Sequence, residues 1–286
     1  MVTSAMSAPV AARCESATRS PSRRPAGEGG KGDGPDAALI QAAYTFIANP
    51  GTSHIDGHYT MSHTMKERGN AVVSWTGGKD GCYSCIKAME QGYRITHLLH
   101  FTNVKRKGSH ELNPDVVRAQ ADAMGIPIIQ KDFYSYEEEF KSAIRNLREA
   151  GERIDAAVFG HIETHKPLVD RICDEMNLEL LLPIWKQDSK KLLERMIDSG
   201  LEICVASARG SLMGKEWVGR RIDREFIRDL EGLNPSIDAC GENGEFHTLV
   251  TDAPVFGKKI LITHSDWVFH EGYWYLDIRG FSLVEK

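Results

Sequence analysis

Between Ala71 and Ser207 short apolar runs alternate with segments of helical spacing, and this alternation restricts the fold more than any other feature of the chain. Ala71–Trp75 is a brief apolar run near glycines, the signature of a buried strand. Gly81–Gln91 follows with apolar residues at Cys82, Cys85, Ile86 and Met89, and Gly92 closes it as a helix. Ile95–Phe101 is the next strand. Asn113 reads as an N-cap with Pro114 in the first helical position, opening a helix to Met124. Ile126–Gln130 is a strand, and Ser135 with Glu138 forms a capping box for a helix ending near Ala150. Strands over Ala156–Gly160, Leu178–Leu182 and Ile203–Ser207 and helices over Pro167–Met176 and Ser189–Asp198 continue the series. Such regularity predicts an α/β fold, a doubly wound, mostly parallel, Rossmann-like sheet that binds ligands at the carboxyl ends of its strands. After Gly210 the rhythm changes. Asp223–Leu230 is helical, and Ile260–Phe269 and Tyr273–Ile278 read as an antiparallel pair around His270-Glu271-Gly272, a smaller C-terminal α+β portion. The expected division is an N-terminal extension over 1–69, a nucleotide-binding domain over 70–209 and an acceptor-binding portion over 210–286.

Residues 1–69 contain a stretch rich in Ala, Ser, Arg, Gly and Pro that cannot bury enough apolar surface to offset its ordering entropy. It is expected to be a disordered extension or to precede the true start, with Met61 and Met65 as candidates, rather than a targeting peptide. A short helix over 37–48 carries no function. No run of apolar residues is long enough to span a membrane. The net charge of −5 supports no nucleic-acid partner. Six scattered cysteines fit reduced, buried thiols and a cytoplasmic setting; Cys82 and Cys85 form a CxxC without a second ligand pair, read as small residues on one helix.

Two motifs carry chemistry. The first is Thr76-Gly77-Gly78-Lys79-Asp80-Gly81, between the first strand and the first helix, where backbone N–H groups and the helix dipole favour anions. Gly77 and Gly78 permit positive φ and close approach of a phosphate, Lys79 supplies a cation, and Asp80 is placed to orient a magnesium ion or cap the helix. Neither GxxxxGK[ST] nor GxGxxG is present. The second motif, Glu242-Asn243-Gly244-Glu245-Phe246-His247-Thr248, packs two carboxylates, an amide, an imidazole and a hydroxyl into seven residues. In an extended segment Glu245 and His247 share a face. Such a group can position a carboxylate substrate, take a proton from an amine, hold a metal, or simply satisfy its own loop.

The first loop resembles the pyrophosphate loop (S-G-G-x-D-S) of the adenine nucleotide α-hydrolases, which cleave ATP between its α and β phosphates. Thr76 keeps the leading hydroxyl; Gly81 stands where a serine is usual. The second motif resembles the E-N-G-E-[FY]-H-T element of the diphthine–ammonia ligases. Val158–Glu163, Leu182–Trp185, Trp217–Asp223 and Asp252–Phe256 are similar to further stretches of that family, so the resemblance runs from Asn70 to Val284. It implies an adenine nucleotide α-hydrolase-like fold and an ATP- and Mg2+-dependent ligase that adenylates the diphthine carboxylate of elongation factor 2 and amidates it with ammonia. It implies that Thr76–Gly81, Phe101, Thr102, Asn103, Gly160 and His161 hold the nucleotide, with Lys79 and Asp80 catalytic and Asp80 on the metal. Glu242, Asn243, Glu245, His247 and Thr248 would face the acceptor or ammonia. His161, where relatives commonly carry Asp or Ala, is either a group titrating near neutrality or an ordinary hydrogen-bonded loop histidine. Competing readings are a ligase for another carboxylate, as in corrinoid salvage, a tRNA-thiolating or lysidine-forming enzyme, and a nucleotide sensor that has lost turnover with Gly81.

Overall fold

In the computed structural model, residues 67–104 and 112–286 are described. The expectations for residues 1–66, including the helix over 37–48, lie outside them. The first half runs β1 (Gly69–Ser74), α1 (Lys79–Glu90), β2 (Tyr93–Asn103), α2 (Pro114–Met124), β3 (Ile128–Phe133), α3 (Tyr136–Glu149), β4 (Ala156–Val158), α4 (Lys166–Met176), β5 (Glu179–Leu181) and α5 (Ser189–Asp198). Its five strands pair in parallel in the order β3-β2-β1-β4-β5. The chain winds outward from β1 in one direction and restarts at β4 in the other, so the switch point lies between β1 and β4.

Local chemistry explains these elements. The Asn113 side chain accepts from the Asp115 N–H at 2.9 Å, Pro114 occupies the first turn, and Gly125 ends α2 in the left-handed region at φ 65°. Ser135 accepts from Glu138 N–H to start α3, and Asp188 from Lys191 N–H to start α5. Period-two alternation then feeds two cores. Ala71, Val73, Ala156 and Val158 face α1 and α2, whereas Val72 and Ala157 face Phe140 of α3 and Ile172 of α4. Strands buried on both faces are what a parallel sheet requires.

The second half runs β6 (Glu202–Arg209), α6 (Arg224–Leu233), β7 (Phe246–Asp252), β8 (Lys258–His270) and β9 (Tyr273–Glu285). Its strands form an antiparallel sheet in the order β7-β6-β9-β8. The strand expected over Ile203–Ser207 exists as β6 but does not extend the parallel series. It pairs antiparallel with both β7 and β9. Its apolar run looks the same in either setting, because periodicity reports burial and not the partner strand. The β8–β9 hairpin turns at Glu271-Gly272 as expected. Val205, Leu249, Ile260 and Ile278 of this sheet share the core of α1 and α2, so the two sheets sandwich those helices. Among the described residues, no helix is long and apolar enough to cross a membrane.

Candidate active site

The turn after β1 is held open by neighbours rather than by its own bonds. Gly77 has φ 82°, and a Cβ there would lie 2.8 Å from Gln120 Oε1 and from Leu112 Cδ1. Only glycine meets both demands. Gly78 differs from expectation: its φ is −86°, so it needs no special backbone freedom. It is small because a Cβ would stand 3.3 Å from both the carbonyl and the hydroxyl of Thr248. Gly77 O accepts from Val250 N–H at 3.1 Å and from Gln120 Nε2 at 2.9 Å.

Gly78 offers no side-chain cap to α1. The cap comes from Thr248 on β7, whose Oγ1 accepts from Lys79 N–H at 3.1 Å. Lys79 itself is buried. Its Nζ donates to Cys240 O at 2.5 Å and to Asp80 Oδ2 at 2.8 Å, and lies 5.9 Å from the Phe246 ring centroid. Burial works against its charge, but the facing Asp80 and Glu242 carboxylates outweigh that and raise its pKa, so it is a permanent cation. The first motif therefore reaches into the second through side chain and backbone alike. The other oxygen of Asp80, Oδ1, is buried with no hydrogen-bond partner.

The turn after β4 packs against this one. A Cβ on Gly160 would lie 2.6 Å from Gly81 N and 2.7 Å from Asp80 C, so the absence of a side chain lets the two loops touch across the switch point. At Gly81 a Cβ would meet only Ser74 O, at an ordinary 3.5 Å. Nothing in the backbone demands glycine there. His161 matches neither expectation. Its ring stacks on Phe159 at 5.9 Å and approaches His165 at 5.4 Å, while its Nδ1 is buried without a partner. Burial, reinforced by His165, lowers its pKa to about 4, so it is neutral at physiological pH. At the end of β2, Phe101 turns edge-on to Tyr136 and Phe140 in the α3 core; Thr102 points to the opposite face by alternation, and Asn103 closes the strand beside Phe133.

The second motif is a loop braced from within and without. Glu245 is buried, and its carboxylate accepts from the N–H groups of Asp238 and Asn243 and from the Asn243 amide. Asp238 Oδ1 in turn accepts from Cys240 N–H and Glu242 N–H. Gly241 and Gly244 have φ 76° and 74°; a Cβ on the former would lie 2.6 Å from Phe246 O. From the antiparallel sheet Arg209 donates to Asn243 O at 2.7 Å, and Tyr273 donates its hydroxyl to Gly244 O at 2.9 Å. His247 follows on β7, half-buried opposite Ser207.

Glu242 is the carboxylate this frame leaves perturbed. Burial, then the nearby charge of Asp80, with smaller pushes from Asp238 and Glu245, raise its pKa to about 7 against the pull of Lys79. Among the described residues no three His, Cys, Asp or Glu side chains are grouped to hold a metal on their own. A magnesium ion arriving on phosphates needs only one or two protein carboxylates, and the unpartnered Asp80 Oδ1 fits that requirement.

The sequence patterns of two families match this chain. The pattern of the diphthamide synthase N-terminal domain covers residues 69–180, and that of the diphthamide synthase C-terminal domain covers 188–284. The chain belongs to the diphthamide synthase family. It is thereby an enzyme of the carbon–nitrogen ligase class. A diphthine–ammonia ligase from Danio rerio is 26% identical over 221 residues, covering 68% of this chain and 87% of the relative. The Homo sapiens diphthine–ammonia ligase is 22% identical over 249 residues, covering 75% and 90%. A solved structure described as a predicted subunit of a tRNA methyltransferase from Methanocaldococcus jannaschii shares 14% identity, with a TM-score of 0.35, over 65% of this chain and 97% of that one.

The site also depends on residues outside both motifs. Gln120 of α2 is fully buried: Oε1 accepts from Trp75 Nε1 at 3.0 Å, and Nε2 donates to Gly77 O and, at 2.8 Å, to Val250 O. The signal was an amide in register with Val116, Val117 and Ala123 on the apolar face of a helix. Arg209 and Tyr273, the outer braces of the second motif, left no such mark.

Proposed function

We propose that this chain is an ATP-dependent diphthine–ammonia ligase acting on elongation factor 2. The observation that carries the reading is the joint between the two motifs: Lys79 N–H on Thr248 Oγ1, Val250 N–H on Gly77 O, and Lys79 Nζ on Cys240 O. A phosphate loop and an acceptor loop that share hydrogen bonds serve one reaction at one site.

The diphthine carboxylate oxygen attacks the α-phosphorus of ATP, the bond to the bridging oxygen breaks, and pyrophosphate leaves. Ammonia then attacks the acyl carbon, the carbon–oxygen bond to AMP breaks, and one proton leaves the nitrogen. Catalysis is mainly positioning and charge stabilisation. The Thr76–Gly81 turn and the start of α1 receive the phosphates; Asp80 would hold a magnesium ion, which would supply charge neutralisation there. His161, neutral and beside that turn, and the Thr102-Asn103 strand end border the nucleotide. Glu242, in the loop that Lys79 and Asp80 face, takes the proton from the attacking ammonia. Glu245 and Asn243 shape the loop that presents it, and His247 borders the acceptor. The reading places the protein with its acceptor in the cytoplasm.

Incubation with ATP, ammonia and diphthine-bearing factor tests it. AMP formation that requires the factor is expected. AMP formed only with another carboxylate moves the activity to a different acceptor, and nucleotide binding without AMP makes the chain a sensor.

A further inference from the structure

Asp238 takes no part in the proposed chemistry, yet the acceptor loop is built on it. Its Oδ1 accepts from Cys240 N–H at 2.8 Å and from Glu242 N–H at 3.2 Å, and its own N–H donates to Glu245 Oε1 at 3.1 Å. Its carbonyl accepts from Gly241 N–H at 3.0 Å, and the Gly241 carbonyl accepts from Gly244 N–H at 3.0 Å. The Cys240 carbonyl between them turns out of the loop and accepts from Lys79 Nζ at 2.5 Å. The Cys240 thiol donates to the carbonyl of Ser189, the first residue of α5, at 3.2 Å. Cys240 is buried and is thus fixed at its N–H, its carbonyl and its thiol. Gly241 follows it at φ 76°, where a Cβ would lie 2.6 Å from Phe246 O, so the turn has little room to take another shape.

Two groups hold the Lys79 ammonium. Asp80 Oδ2 belongs to the next residue of the same turn, so it moves with Lys79 and cannot fix the ammonium against the acceptor loop. The Cys240 carbonyl, 161 residues away, can. It points at Lys79 because the N–H groups before and after it, of Cys240 and Glu242, are tied to one carboxylate oxygen. We infer that Asp238 is a positioning residue for the proposed reaction, and that it aims the Lys79 ammonium by fixing the Cys240 carbonyl. An ammonium that merely stays near the phosphates still attracts them. Charge gained as the bond between the α and β phosphates breaks needs a donor already in place. Loss of Asp238 therefore affects turnover more than ATP binding. This kinetic consequence rests on the proposed reaction, whereas the fixing of the ammonium does not.

The test compares Asp238→Ala with Asp238→Asn in the full-length chain. The asparagine keeps the acceptor oxygen and removes the charge; the alanine removes both. The first readout is the side-chain ammonium signal of Lys79 in nitrogen-labelled lysine, identified by its absence from Lys79→Met and recorded without nucleotide. Parent and Asp238→Asn are expected to show it, and Asp238→Ala to lose it as the ammonium becomes mobile. The second readout is AMP formation with diphthine-bearing factor. In Asp238→Ala kcat is expected to fall about tenfold to a hundredfold with the KM for ATP within about threefold of the parent, and Asp238→Asn is expected to recover most of kcat. Should Asp238→Ala not fold, Asp238→Ser replaces it, with a weaker acceptor and an intermediate loss. A truncated variant that keeps both the Lys79 signal and the parent kcat overturns the inference. So does an Asp238→Asn chain that fails as fully as Asp238→Ala, because charge and not the bonded turn would then be at work. A parent that shows the signal but forms no AMP overturns the ligase reading alone, and loss of the signal in Asp238→Ala still supports the positioning role.

Discussion

Replacing Gln120 with methionine isolates the bonds that hold the phosphate turn. The two side chains are close in volume, so no large cavity opens and the loss is polar. Three partners are affected. Trp75 Nε1 loses its acceptor in a fully buried setting, Val250 O loses one donor, and Gly77 O retains the Val250 N–H. An orphaned buried donor costs about 1–3 kcal/mol and each lost net hydrogen bond about 1 kcal/mol, which sums to about 3–5 kcal/mol. For a fold of this size that lowers the melting temperature by about 10 °C. The Gly77 carbonyl also loses one of its two anchors, so the KM for ATP rises along with the instability. Thermal unfolding with and without ATP, together with AMP formation at varied ATP, reads both effects. A Gln120→Met chain with parent-like melting and ATP KM refutes the claim that α2 positions the turn.

Thr248→Ala removes the cap on α1 and is expected to cost about 1–2 kcal/mol and weaken ATP binding, whereas Thr248→Ser keeps the acceptor and both properties; equal behaviour of the two variants in urea unfolding would contradict the capping role. Gly81→Ser places its Cβ in ordinary contact with Ser74 O, so it is expected to fold, to gain about 0.5 kcal/mol of helix stability and to form AMP faster; loss of ATP binding would mean the site has no room for the hydroxyl. The folded-state pKa of Glu242 lies above its unfolded value of 4.5, so the fold holds that proton more tightly. The stability this one group contributes is then fully present below pH 4.5 and is lost as pH rises through about 7. Glu242→Gln is accordingly expected to be about 1–2 kcal/mol more stable than the parent at pH 8, allowing for solvent screening, and equal to it near pH 4. The same variant loses the rise in AMP formation through neutral pH; an unchanged pH profile removes Glu242 from the proton transfer.

Local signals and long-range signals fared differently. Asn113-Pro114, Ser135 and Asp188 start helices through bonds to residues two or three positions away, and such starts are written in neighbouring letters. The glycine at 77 was equally legible, because a turn between strand and helix that approaches a ligand needs one. The cap on α1 was not: Thr248 lies 169 residues from Lys79, and its hydroxyl reads as a substrate ligand until the two loops are seen together. Glu245 likewise reads as a reacting carboxylate, yet three of its acceptor contacts go to its own loop. The partners of β6 were hidden for a related reason, since an apolar strand is compatible with either sheet. Gln120 left a trace, one amide among apolar helix positions, that spacing alone does not connect to Gly77.

If the nucleotide end and the acceptor end form one site, AMP release and amide formation are coupled one to one, and that coupling can be measured. It is tested most directly by supplying nitrogen-labelled ammonia with ATP and diphthine-bearing factor, then measuring AMP and the label in the modified peptide by mass spectrometry. Label is expected in the diphthine-derived amide in an amount equal to the AMP formed, with both falling together in Thr248→Ala. AMP without label in the factor, or label without AMP, would contradict it.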